Sequence, residues 1–275
     1  MVEVDGATRN RVRGGGAGPA LLDRPAPPGR DFGPELDVLR LGSDSVLAPF
    51  LPRMRFDLRD TPTVVVDVIE GRRASDLVVD GCIDPSVAAG LGAAIGAWHR
   101  GAAAYSSGFR QAPDTPEGSF DLRDPLLAAH LVALDREWQA STVIHGDLRA
   151  ANAVLTAEPT GCGAAEVVLT RWARSGTGDP AWDLGCLVAD LLASAGARGR
   201  AAAAEAAVSA AAASYGRTVG EGAWGDTFAR RVVLSAVVRL VHLGSDPHRQ
   251  ELVVMARSVS AWLPTWTRRF EKWLA

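Results

Sequence analysis

Residues Val143–Thr156 read VIHGDLRAANAVLT, and how this stretch is read decides the fold. It opens apolar, passes through a polar segment carrying His145, Asp147, Arg149 and Asn152, and closes apolar again. That alternation predicts two short strands joined by a loop dense in chemically capable side chains. A third strand is read in AEVVLTRWA at residues 165–173. From Asp179 onward the pattern turns helical as far as Trp273, beginning with GDPAWDLG at Gly178–Gly185. Functional side chains gather on loops held by a rigid frame, so residues 145–152 are the first place to look for a site.

Upstream of the loop, Asp84 followed by Pro85 reads as a helix N-cap with proline in the first turn. Val87, Leu91, Ile95 and Trp98 then share one face up to His99. A second helix is predicted from Pro125 to Ala140, with Leu127, His130, Leu131, Leu134 and Trp138 turned inward. The first 70 residues read differently. Arg9–Arg13 and Pro19–Arg24 form a hairpin candidate around the turn at Gly14–Gly18. A short helix is predicted through Phe32, Leu36, Leu39 and Leu41, and TPTVVVDVIEG reads as a buried strand ending at Gly71. The expected division is a β-rich unit at 1–70 and a helical unit at 71–275. The alanine-rich run at residues 201–213 is expected to be an exposed or loosely packed helix, because alanine is the strongest helix former.

Composition narrows the function classes. The chain has 275 residues, 47% of them apolar, which is enough for a substantial core. With 29 basic and 32 acidic residues it lacks the basic footprint of a general nucleic-acid or membrane-surface binder. Small molecules or proteins are the expected partners. Cys82, Cys162 and Cys186 have neither metal-ligand spacing nor a disulfide framework, and His130, His242 and His248 have no ligand spacing, so no metal is assigned. No secretory leader is read, and no apolar run approaches the roughly 20 residues of a membrane span. A cytoplasmic location is expected. The only lysine is Lys272, which excludes lysine chemistry elsewhere.

The sequence HGDLRAAN at residues 145–152, followed by an apolar strand and then by GDPAWDLG, resembles the catalytic segments of the aminoglycoside phosphotransferase and choline kinase-like family. GATRNRV, PALLDRP, FGPELDVL and VVVDVIEG resemble, more weakly, that family's nucleotide-covering loop, lysine-bearing strand, first helix and hinge strand. The resemblance implies an α+β, two-lobed protein kinase-like fold, with a small N-terminal sheet and a larger helical C-terminal lobe. It also implies roles. Asp147 matches the catalytic aspartate, Asn152 a magnesium ligand, His145 a residue that braces the loop, Asp183 the buried aspartate that ties loop to helix, and Glu35 the glutamate of the first helix.

Two parts depart from the family pattern. The strand that should carry lysine reads Leu21, Leu22 and Asp23, and the metal-holding aspartate is replaced in the run Thr170, Arg171, Trp172. A guanidinium has only donors and repels a cation, so it cannot coordinate magnesium. Ordinary Mg-ATP phosphotransfer is therefore expected to be severely impaired, with ATP and magnesium bound weakly or not at all and no cofactor required. Asp23 and Arg171, both reversed in charge, are expected to pair across the cleft, with Arg24 as an alternative cation.

Three functions follow. The first is a repurposed kinase fold, a pseudokinase toward ATP, in which Arg171, Arg24 and Arg149 hold phosphate and Asp147 or His145 acts as base. Its reaction would be a lyase step eliminating phosphate from phosphoserine or phosphothreonine of a peptide, the setting being bacterial peptide natural-product biosynthesis. The second is a divergent small-molecule or peptide kinase keeping Asp147 and Asn152. The third is a non-catalytic subunit that activates a partner enzyme.

Overall fold

A computed structural model describes residues 11–13, 21–25, 33–42, 46–58, 63–79, 82–112, 125–156, 166–196, 200–244 and 250–275, the side chains of some strand and helix-end residues excepted. Strands β1 (Arg11–Arg13) and β2 (Leu21–Pro25) pair antiparallel, Arg11 opposite Asp23, as the hairpin reading predicts. Helix α1 (Gly33–Leu41) follows, with Pro34, Glu35, Val38 and Leu39 buried. Strands β3 (Met54–Leu58) and β4 (Thr63–Asp67) complete a four-stranded sheet in the order β1-β2-β4-β3. The sequence reading did not name β3, although its residues MRFDL alternate apolar and polar as a half-buried strand does; its pairing with β4 places it in the sheet.

The chain then leaves this sheet. β5 (Arg72–Arg73) pairs with a strand of the helical part, and β6 (Val78–Val79) with β7 (Cys82–Ile83) makes a minimal ribbon. Helix α2 (Pro85–Ala102) starts as its cap predicts: the Asp84 carboxylate accepts from the Ser86 amide at 2.7 Å, and Pro85 fills the first helical position. Helix α3 (Pro125–Glu137) leads into β8 (Thr142–Ile144), β9 (Ala153–Leu155), β10 (Val167–Leu169) and β11 (Gly176–Gly178). β9 lies between β10 and β5, and β11 pairs with β8, so two small ribbons flank residues 145–152.

Helices α4 (Pro180–Gly196), α5 (Ala201–Val219), α6 (Phe228–Leu243), α7 (Glu251–Ala261) and α8 (Leu263–Leu274) form the rest. The main core joins Trp98 and Ile95 of α2, Leu134 of α3, Trp172, and the inward faces of α4, α5 and α6. Among the described residues no helix is long and apolar enough to cross a membrane. Cys186 is a free thiol, wholly buried on α4.

The alanine-rich helix differs from expectation. α5 is packed tightly: Ala204, Ala207, Val208, Ala211, Ala212 and Tyr215 are buried, and α2 lies against it. Small side chains let the two backbones come close, which an exposed-helix reading of alanine ignores. A Cβ added at Gly92 would stand 2.0 Å from the carbonyl oxygen of Ala211. Gly92→Ala is therefore expected to force the helices apart and cost about 1–3 kcal/mol or more in urea denaturation. Gly108→Ala, where an added Cβ meets nothing within 4 Å, should change stability by less than about 0.5 kcal/mol.

Candidate functional site

The loop between β8 and β9 is held from beneath by Asp183, in the first turn of α4. Its carboxylate accepts from the backbone amides of His145 at 2.7 Å and Gly146 at 2.9 Å, and it pairs with His99 Nε2 at 3.0 Å. His99 in turn meets the Tyr215 hydroxyl of α5 through Nδ1 at 3.0 Å. Burial alone would raise the Asp183 pKa. The hydrogen bond from His99, the charge of His99 and the contacts with His145 outweigh it and hold the carboxyl below its ordinary 3.8. Gly146 takes φ +80°, and a Cβ there would lie 2.2 Å from the Arg174 carbonyl oxygen, so the loop admits only glycine at this bend.

His145 is fully buried and both ring nitrogens are engaged. Nδ1 accepts from the Asp147 amide at 3.3 Å, which leaves Nε2–H to donate to the Thr170 carbonyl at 2.8 Å. Burial pushes its pKa down, so the ring is neutral. This geometry gives His145 the bracing role and leaves neither nitrogen for a substrate proton. Asn152 crosses the loop: Nδ2 donates to the Asp147 carbonyl at 2.7 Å, and the Asn152 carbonyl accepts from the Thr170 amide at 2.8 Å. Its Oδ1 is buried without a hydrogen-bond partner among the described residues.

Asp147 itself, 18% exposed, is gripped at both oxygens. Arg149 donates to Oδ2 at 2.7 Å, and Arg239 of α6 donates to Oδ1. Arg174 and His242 stand close by: the charges of Arg239, Arg174, Asp147 and Arg149 all act on the His242 ring, whose pKa is lowered first by burial and then by the arginines. Asp190, one helical turn beyond Cys186 on α4, accepts from the Ala150 amide at 2.9 Å, and burial pushes its pKa up.

Arg171 follows β10 and has φ +66°, the left-handed region that side-chain-bearing residues seldom occupy. The segment after it is fastened to the N-terminal sheet's helix, since the Ser175 hydroxyl donates to the Pro34 carbonyl at 3.0 Å. Glu35, next to Pro34, is buried.

The fold as a whole has counterparts among solved structures. A microcompartment-associated aminopropanol kinase matches with a TM-score of 0.57 at 18% identity, covering 96% of this chain and 93% of that one. The macrolide 2'-phosphotransferase of Brachybacterium faecium gives 0.56 at 19% identity over 95% and 89% of the two chains. The choline kinase of Streptococcus pneumoniae gives 0.54 at 11% identity over 95% and 92%. The fold is protein kinase-like. No family model matches the sequence, and neither does any curated protein, so the kinase-like architecture is what the likeness establishes.

In a kinase-like cleft the nucleotide needs a cation on the phosphates and carboxylate or amide oxygens on magnesium. In β2 the register sets Asp23 opposite Val65, while the side chains of Asp23 and Arg24 lie outside the described residues, and with them the expected Asp23–Arg171 pair. The two oxygens of Asp147 each accept from an arginine, and Asn152 Oδ1 is buried without a hydrogen-bond partner among the described residues. Among the described residues no group of three or more His, Cys, Asp or Glu side chains could hold a metal.

Of the residues named from the sequence, the structure brings Asp147, Asn152 and Arg149 together; it adds Arg239 and Asp190, which the sequence reading did not name, with Arg174 and His242 electrostatically coupled to them. A signal existed on α6, where Arg239 and His242 interrupt the apolar run VVRLVHL one turn apart. A charged side chain on the inward face of such a helix needs a partner.

Asp183 supplies a test of the frame. Because its folded pKa is depressed, its contribution is present above 3.8 and is lost as pH falls through the folded value. Asp183→Asn is expected to lower stability at neutral pH by about 3–5 kcal/mol. In urea melts the gap between wild type and variant should be full at pH 7 and narrow below pH 3.8.

Proposed function

We propose that this kinase-fold protein binds a phosphorylated substrate in its cleft without Mg-ATP, and that its reaction is elimination of phosphate from a phosphoserine- or phosphothreonine-like group, as in peptide natural-product biosynthesis. The observation that carries the reading is Arg171, a permanent cation in a left-handed backbone at the position where the kinase-like motif calls for a metal-holding aspartate. Backbone strain of this kind persists when its surroundings over-determine it, and it concentrates at functional sites. Guanidinium matches phosphate oxygens in charge and shape. Arg149, a third exposed at the cleft, is the second cation of this set.

In the elimination a base removes the Cα proton, the C–H electron pair forms the Cα=Cβ bond, and the Cβ–O bond breaks with its electrons going to the departing phosphate. Asp147 is the base, since the His145 ring is enclosed. Arginines at the departing phosphate stabilise the charge that develops there. Substrate and base both belong to the chain and its ligand, so no cofactor is required.

One observation favours a divergent phosphotransferase of a small molecule or peptide instead: the buried, unpartnered Oδ1 of Asn152, the atom that faces metal in the motif this loop resembles.

Calorimetry separates the two. Wild type is expected to show no magnesium-dependent ATP binding, and Arg171→Asp is expected to gain it. Tight magnesium-dependent ATP binding by wild type would overturn the proposal and favour phosphotransfer. A phosphoserine peptide incubated with wild type should lose phosphoric acid by mass spectrometry without nucleotide, and Asp147→Asn should slow that loss by at least about a hundredfold.

A further inference from the structure

Arg239 stands apart from the phosphate-holding residues named so far. It sits in the apolar run Val237–Val241 of α6 at 3% side-chain exposure, and Asp147 is its hydrogen-bond partner among the described residues. Burying an arginine this deeply is costly unless its charge and donors are answered. One carboxylate answers them incompletely. Asp147 has two oxygens, each taken by a different guanidinium, and the Nε groups of both Arg149 and Arg239 are buried with no partner among the described residues.

The charge count points the same way. Two guanidiniums facing one carboxylate leave a surplus of one positive charge. Asp190, the other carboxyl nearby, accepts from the Ala150 amide and not from either guanidinium, and burial raises its pKa. A phosphate monoester has three terminal oxygens and between one and two negative charges near neutral pH. It matches the two guanidiniums better than a carboxylate does. Access is graded: Arg149 is 33% exposed and Asp147 18%, with Arg239 behind them, so an anion entering from the cleft reaches Arg149 before Arg239.

We infer that Arg149 and Arg239 form a phosphate-monoester site that the Asp147 carboxylate occupies in the ligand-free protein, and that the substrate phosphate takes Asp147's place. This rests on the phosphate-directed reading above and deepens it. Held by two arginines, Asp147 is a poor base because both oxygens are committed. Once phosphate takes the arginines, the carboxylate is released with its lone pairs available, so the base is armed only when a phosphorylated substrate is present. Arg239 then contacts the leaving phosphate and belongs to the binding machinery.

The test uses inorganic phosphate and O-phosphoserine as probes, in calorimetry and thermal melts, with no nucleotide and no magnesium. If Asp147 competes for the site, removing its charge opens it. Asp147→Asn is expected to bind phosphate at least about tenfold more tightly than wild type and to gain more melting temperature from it. Arg239→Gln is expected to bind at least about tenfold more weakly, and Arg239→Lys, which keeps the charge but not the fork, should fall between. Should Arg239→Gln fail to fold, Arg149→Gln at the exposed side carries the same comparison. Tighter binding of O-phosphoserine than of inorganic phosphate would mark an organic phosphate as the ligand, and equal binding would mark the phosphate group alone; either supports the site if the order of variants holds. Phosphate affinity unchanged or reduced in Asp147→Asn would overturn it. That failure is distinct from failure of the phosphate-directed reading, which appears as magnesium-dependent ATP binding by wild type.

Discussion

A buried carboxylate, Asp183, ties the functional loop to the helical core. It receives the amides of His145 and Gly146, meets His99 of α2, and through His99 reaches Tyr215 of α5. A charge at 1% exposure is tolerable only when its lone pairs are met, so each of these partners is also a constraint on where its helix can lie. The loop's conformation, the start of α4 and the contact between α2 and α5 are thereby one connected requirement. The alanine-rich face of α5 serves it, because only small side chains let α5 come close enough to α2 for Tyr215 to reach His99.

On that frame the backbone of a kinase-like loop is kept while the charges around it are changed. His145 still braces the loop and Asn152 still spans it. The carboxylate at the centre is paired with two arginines, and Arg171, beyond β10, has a left-handed backbone. Backbone frame and chemistry are separable properties: a fold places groups, and the groups decide the reaction. The charge around Asp147 is cationic, opposite to what a polycationic acceptor or a bound magnesium ion would favour.

The Ser175–Pro34 hydrogen bond is a polar contact between the two lobes. It joins the segment carrying Arg171 to the helix carrying Glu35. The arginine's unusual backbone angle is thus fastened on one side by β10 and on the other by the N-terminal lobe, which makes its position a property of the whole fold and not of the loop alone.

Most of the architecture could be read in advance because its signals are local. The Asp84–Pro85 start of α2, the hairpin of β1 and β2 and the apolar–polar–apolar pattern at Val143–Thr156 depend on neighbours in sequence, and so does the spacing of Asp147 and Asn152 within the loop. The strict alternation of MRFDL in β3 was equally local and was overlooked. Tertiary structure alone decided two things: α5 proved tightly packed because α2 presents Gly92 to it, and Arg239, 92 residues beyond Asp147, came to hold its oxygen. A hydrogen bond between residues so far apart leaves no periodicity or spacing in the chain; it exists only once packing brings α6 under the loop, and that packing settles whether Asp147 stands free or paired.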